Sequence, residues 1–243
     1  MAQARVQAAI CTAGFIAFLN LYPPQALLPE LEAAFGTASG GTTITVSAGT
    51  LAVALVAPFA GILADSLGRR RVIVASMCLL GIATILSGSA ETLTQMLVWR
   101  FISGLFVPGI TTGVLGVLAE DSDRARALRV AGLYIAGTLL GGFMGRFLTG
   151  VVAHWFGWRH AFHALGLLTI FMVPLILAGV PKSTAAARGS ARTMLRAAAA
   201  HLAHAELRNT FAIGFLLLFT QVATFTYVSL LLARPPYSLN SAA

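Results

Sequence analysis

Charged positions along this chain are sparse and clustered, and the stretches between them are long and apolar. Residues 6–29, 33–64, 72–90 and 209–233 carry no charged side chain. Residues 92–119 are interrupted only by Arg100, residues 130–153 only by Arg146, and residues 161–181 hold one ionisable group, His163. A helix needs about 20 predominantly apolar residues to cross a bilayer, so charge-free intervals of this length predict spanning helices. The pattern predicts seven, at residues 8–28, 44–64, 72–90, 93–119, 130–153, 161–180 and 210–233. The first reads as a true span rather than a signal peptide: its apolar run is long, no small-x-small site closes it, and Pro23-Pro24 sit near its end.

Composition agrees. The chain is 58% hydrophobic and 10% charged, with a mean hydropathy of +0.85, whereas soluble domains are about 45–50% apolar and about 25% charged. So few charges cannot wet a globular surface, which excludes a soluble enzyme, a disordered protein and a disulfide scaffold. The net charge of +8 would suggest a nucleic-acid partner in a soluble chain, but here it reports orientation. With the N-terminus inside, the cytoplasmic connections hold twelve Lys and Arg against two outside. That bias predicts a cytoplasmic N-terminus and leaves no role for nucleic acid. Cys11 and Cys78 lie inside apolar runs without metal-ligand spacing, so no metal or cofactor is expected. No Walker A loop, HExxH or GxSxG occurs, and the chain does not read as an enzyme.

The connection between the second and third spans carries the densest pattern, Gly61-Ile-Leu-Ala-Asp65-Ser-Leu-Gly68-Arg69-Arg70-Arg71-Val-Ile73. Asp65 stands at a helix C-terminus, where the macrodipole disfavours a carboxylate, and the arginines that follow can offset this with charge-assisted bonds. Gly68 permits a tight turn. Such a charged corner can serve as a latch that opens and closes; an ordinary positive-inside loop would share its composition.

This segment resembles the loop signature of the major facilitator superfamily, Gly-x-Leu-Ala-Asp-Arg-x-Gly-Arg-Lys/Arg-x-x-Leu. Gly61, Leu63, Ala64, Asp65, Gly68, Arg69 and Arg70 match; Ser66 replaces an arginine. Leu97-Val-Trp-Arg100-Phe-Ile-Ser-Gly104 resembles the family's second motif, with Ser103 in place of a glutamine. The resemblance implies that Arg100 takes part in proton coupling, with Gly104 beside it. Physically, an intramembrane arginine must face a partner or a cavity, or snorkel to an interface. Gly137-Thr-Leu-Leu-Gly141-Gly142 in the fifth span resembles the antiporter motif of the family's exporters, with Thr138 in place of its proline; close helix packing explains the same glycines. The proline-rich segment Leu21-Tyr22-Pro23-Pro24-Gln25 resembles the first helix of the twelve-span drug and sugar proton antiporters. Arg146 and His163 are read as deeper groups on a proton or substrate path.

The resemblance implies an all-α integral membrane fold: a six-helix N-terminal half-bundle over residues 1–181, a cytoplasmic central loop over 182–208, and over 209–243 the first helix of an incomplete C-terminal half. Residues 191–207 are read either as an amphipathic helix on the cytoplasmic leaflet or as an Ala-rich linker. The implied activity is secondary active efflux of a small molecule, coupled to protons, by alternating access in a cell membrane, the bacterial inner membrane in particular. A seventh span beyond a long linker, with nothing after it to pack against, reads as an early stop. The alternatives are therefore a truncated, inactive remnant and a half-transporter that needs a second half or another copy. The expected partners are lipid, the substrate and protons.

Overall fold

The structure, a computed structural model, describes residues 2–38, 40–119, 123–181, 203–233 and 235–237. Its helices are α1 (Ala2–Leu19), α2 (Pro24–Phe35), α3 (Ile44–Leu67), α4 (Arg69–Gly88), α5 (Leu93–Ala119), α6 (Arg124–Phe156), α7 (Trp158–Phe171), α8 (Val173–Gly179) and α9 (Ala205–Leu232). Among the described residues seven helical stretches are long and apolar enough to cross a membrane, which agrees with the sequence. Span 1 is α1 with α2, span 6 is α7 with α8, and span 7 is α9. The helices run past the charge-free intervals because a helix can carry arginines into the interfacial layer. Span 5 begins at Arg124 rather than at 130, and span 7 begins at Ala205 rather than at 209 or 210. Most of the suggested amphipathic stretch 191–207 lies outside the described residues, as do the basic residues of 182–196; Ala205–Leu207 form the first turn of α9.

Helix ends follow local chemistry. Asp123 caps α6, its carboxylate accepting from the Ala125 and Arg126 N–H groups at 3.1 Å each, an ordinary N-cap. Spans 2 and 3 meet at a single residue, Gly68, with φ 92°, and spans 5 and 6 at Gly157, with φ 85°. Both corners need a left-handed backbone that side-chain-bearing residues rarely adopt.

Hydrophobic burial does not drive helices together inside lipid, so small residues at crossings decide which pairs form. α1 packs on α6 and α3 on α5, while α4 packs on α5 and α7, and α8 on α1. Exchanging spans 1, 2 and 3 with spans 4, 5 and 6 maps this set of pairs onto itself, as two inverted three-helix units would. Ile16, Met77, Leu80 and Ile110, all fully buried, form the middle of the core.

Candidate functional site

Span 1 breaks because of its prolines. Pro23 and Pro24 have no N–H, so the carbonyls one turn back lose their helical donors. The N–H of Gln25 bonds the Tyr22 carbonyl at 3.1 Å, which also leaves the Leu21 carbonyl free. Arg100 takes up two of the freed groups: Nη1 donates to Asn20 O at 2.9 Å and Nη2 to Leu21 O at 2.7 Å. The Asn20 side chain extends this knot, donating to Thr169 Oγ1 at 2.8 Å and accepting from Thr84 Oγ1 at 2.9 Å. Asn20, Thr84, Thr169 and Arg100 are each at most 1% exposed. Four spans thus meet at one buried polar cluster around the break.

Arg100 is 0% exposed and does not snorkel. Gly104 follows one turn later, where an added Cβ would lie 2.3 Å from Gly49 O. It is a close contact between α3 and α5, and on the facing helix a Cβ at Gly49 would lie 3.3 Å from Arg100 Nη2.

A second cluster surrounds Arg146. Its Nε donates to Gln25 Oε1 at 2.7 Å and its Nη1 to Gly142 O at 2.6 Å. Its guanidinium carbon lies over the rings of Tyr22 and Phe225, 4.7 and 4.4 Å from their centroids, within cation–π range. Gln25 in turn donates to Thr226 Oγ1 at 2.9 Å and Val222 O at 3.2 Å, joining span 1 to span 7. Beside this group a cleft of about 600 Å³ opens between spans 1, 2 and 7, with Phe18, Leu21, Val46 and Phe215 among its walls.

At the α3–α4 corner Arg69 pairs with Asp65 at 3.1 Å, and its Nη1 donates to Gly116 O of α5. Arg70 Nη2 donates to Leu177 O at the end of span 6, at 2.5 Å. Gly61 lies one turn before Asp65 on α3. The motif therefore ties the ends of spans 2 and 3 to those of spans 4 and 6.

The glycines of span 5 divide into two groups. A Cβ at Gly137, Gly141 or Gly145 would sit 2.3, 2.1 or 2.4 Å from the carbonyl oxygens of Cys11, Phe15 and Leu19. The two helices run parallel in constant register, backbone against backbone. Gly142 faces elsewhere: its Cβ would meet only Arg146 Nη1, at 3.7 Å. Packing therefore accounts for Gly137 and Gly141, while Gly142 supports Arg146.

His163, read as a deep group, is corrected by the structure. It lies near the start of span 6 at Trp158, with Nε2 3.1 Å from Ser89 Oγ in the turn after α4. Its ring also meets His160, with centroids 6.1 Å apart. Sequence reasoning missed Asn20, Gln25, Thr84 and Thr169. Asn20 and Gln25 had a signal, as amides flanking the prolines in an apolar span; the threonines had none, because threonine bonds its own helix routinely.

The sequence model of the Major Facilitator Superfamily matches residues 10–242. The chain belongs to the Major Facilitator Superfamily. It is 31% identical over 240 residues to the inner membrane transport protein YnfM of Escherichia coli (strain K12), covering 98% of this chain and 58% of that protein. It is 27% identical over 240 residues to the uncharacterized MFS-type transporter YybF of Bacillus subtilis (strain 168), covering 98% and 59%. The chain thus spans less than two thirds of the length of these relatives, which by name are transporters and not enzymes. The facilitator fold also matches the crystal structure of a bacterial homolog to the human lysosomal transporter Spinster, inward-facing and unoccupied. The TM-score is 0.66 at 16% identity, over 77% of this chain and 44% of that one.

Proposed function

We propose that this chain forms one wall of a proton-coupled exporter of small molecules that works by alternating access. Residues 1–181 are the N-terminal half, 182–208 the cytoplasmic central loop and 209–243 the first span of a second half, which supplies the opposite wall. The chain resides in a bacterial inner membrane with its N-terminus in the cytoplasm. The observation that carries this reading is the Asp65–Arg69–Gly116 corner. Its carboxylate is 42% exposed, and an exposed pair of this kind contributes only about 0–1 kcal/mol. A weak bond joining the ends of three spans can break and re-form at each turnover. Arg100 affects coupling by fixing the break of span 1, and Arg146 faces the substrate path.

Cells expressing the chain, alone and together with the five further spans of a second half, are loaded with a panel of dyes and small metabolites. Export sensitive to a proton uncoupler is expected when both halves are present. Asp65→Asn should slow it severalfold while membrane insertion stays normal. Export that ignores the uncoupler would overturn proton coupling, and no export from inserted protein in either preparation would overturn transport. Unchanged flux in Asp65→Asn would remove the latch. Uncoupler-sensitive export by the chain alone would show that it self-associates into a complete path.

Orientation has its own readout. A reporter fused after Ala243 is expected to be active only outside the cytoplasm, because seven crossings from an inside start end outside. Cytoplasmic reporter activity would mean that α9 does not cross.

A further inference from the structure

Each of the two arginines within the spans leaves one buried nitrogen without a hydrogen-bond partner among the described residues, and they differ in what lies beside it. Arg100, whose Nε is that atom, donates to two backbone carbonyls and is 0% exposed. Arg146 bonds two neutral amide oxygens, and its Nη2 is buried with no hydrogen-bond partner among the described residues. A guanidinium inside a span requires compensation, and a planar fork of N–H donors is best met by a carboxylate.

The surroundings indicate what brings that carboxylate. Tyr22, whose ring lies under Arg146, and Thr226, which holds Gln25, are also walls of the 600 Å³ cleft between spans 1, 2 and 7. Phe18, Leu21, Val46 and Phe215 give that cleft much of its apolar wall, with Thr43, Ser47, Thr50 and Tyr227 adding hydroxyls. Its volume lies within the range of small-ligand sites, about 300–1,000 Å³. Behind the Tyr22 wall stands a positive charge with a spare donor, and the body of the cleft offers aromatic and aliphatic walls. A cationic substrate would meet repulsion at Arg146, and a neutral one would leave the charge uncompensated.

We propose that Arg146, with Gln25 and the rings of Tyr22 and Phe225, is an anion subsite for a small organic carboxylate with an apolar body. This inference rests on the transport reading above and adds the charge of the substrate. The entering carboxylate takes Nη2 and displaces the Phe225 ring. Because Phe225 and the Thr226 bond to Gln25 both belong to α9, anion binding is coupled to the position of span 7.

The test uses the purified chain in nanodiscs with radiolabelled phenylacetate. Unlabelled phenylacetate, phenylacetamide and 2-phenylethylamine serve as competitors with the same apolar body and different charge. Saturable binding is expected, displaced by phenylacetate and not by the amide or the amine. Arg146→Gln should weaken it at least tenfold; Arg146→Lys, which keeps the charge and loses the planar fork, should fall between. Equal displacement by all three compounds, no saturable binding, or unchanged binding in Arg146→Gln would overturn the subsite. If Arg146→Gln does not yield folded protein, competition on the unmodified chain and the Arg146→Lys variant decide. Uncoupler-sensitive export of a neutral dye without phenylacetate binding would remove the subsite and leave the transport reading. Phenylacetate binding without export would do the reverse.

Discussion

Gly141→Ala is expected to abolish most of the folded protein recovered in detergent, while Gly142→Ala, one residue away, leaves it unchanged. The new methyl at 141 would stand 2.1 Å from Phe15 O and 2.8 Å from two further backbone atoms of Phe15. No rotamer change relieves a clash with backbone, so α1 and α6 must separate by about 1 Å or more to restore ordinary contact. Both are rigid helices in parallel register, and the separation would propagate to the Gly137 and Gly145 contacts. Overpacking of a close-packed interior costs about 1–3 kcal/mol and occasionally more; three coupled contacts put this site at the upper end. At Gly142 the nearest atom is Arg146 Nη1 at 3.7 Å, an ordinary contact. Size-exclusion yield and thermal melting of both variants provide the check. Equal stability of the two would mean that α1 and α6 are not packed this way.

Arg100→Leu is the second large effect: a lowered melting temperature accompanied by loss of export. Leucine removes the guanidinium, whose own burial is costly, and leaves the carbonyls of Asn20 and Leu21 buried without donors. Each unsatisfied buried group costs about 1–3 kcal/mol, and Pro23-Pro24 prevent the helix from re-forming to satisfy them. Arg100→Lys keeps a charge and a donor but cannot hold both carbonyls in a fork, so its melting temperature should fall between. Melting in detergent and uncoupler-sensitive export are measured on the same preparations. Export lost with melting unchanged would make Arg100 a coupling group in its own right, and both unchanged would sink the role given to it here.

Much of the fold was legible in the chain because the bilayer is an unforgiving solvent. Every charge within a span is expensive, so the intervals between charges marked the spans. The motif residues were legible for a different reason: Asp65, Gly68 and Arg69 act within one turn of each other, so local spacing carries the pairing. His163 shows where this fails. It sits in an apolar interval, and depth along a span depends on where the helix starts; α7 begins at Trp158, which brings the ring to the turn beside Ser89.

The sequence by itself determined the solvent, the number of spans, the position of the prolines near the end of span 1 and the identity of the α3–α4 corner. Those depend on composition and on residues a few positions apart, which covalent geometry already holds together. Only the tertiary structure decided that Arg100 satisfies the Asn20 and Leu21 carbonyls at the break of span 1, that Gly141 packs while Gly142 supports Arg146, and that the two intramembrane arginines have different surroundings. The Arg100 and Gly141 contacts join residues scores of positions apart. In lipid their pairing is set by which helix faces are small enough to touch, a property of the assembled bundle rather than of any one span.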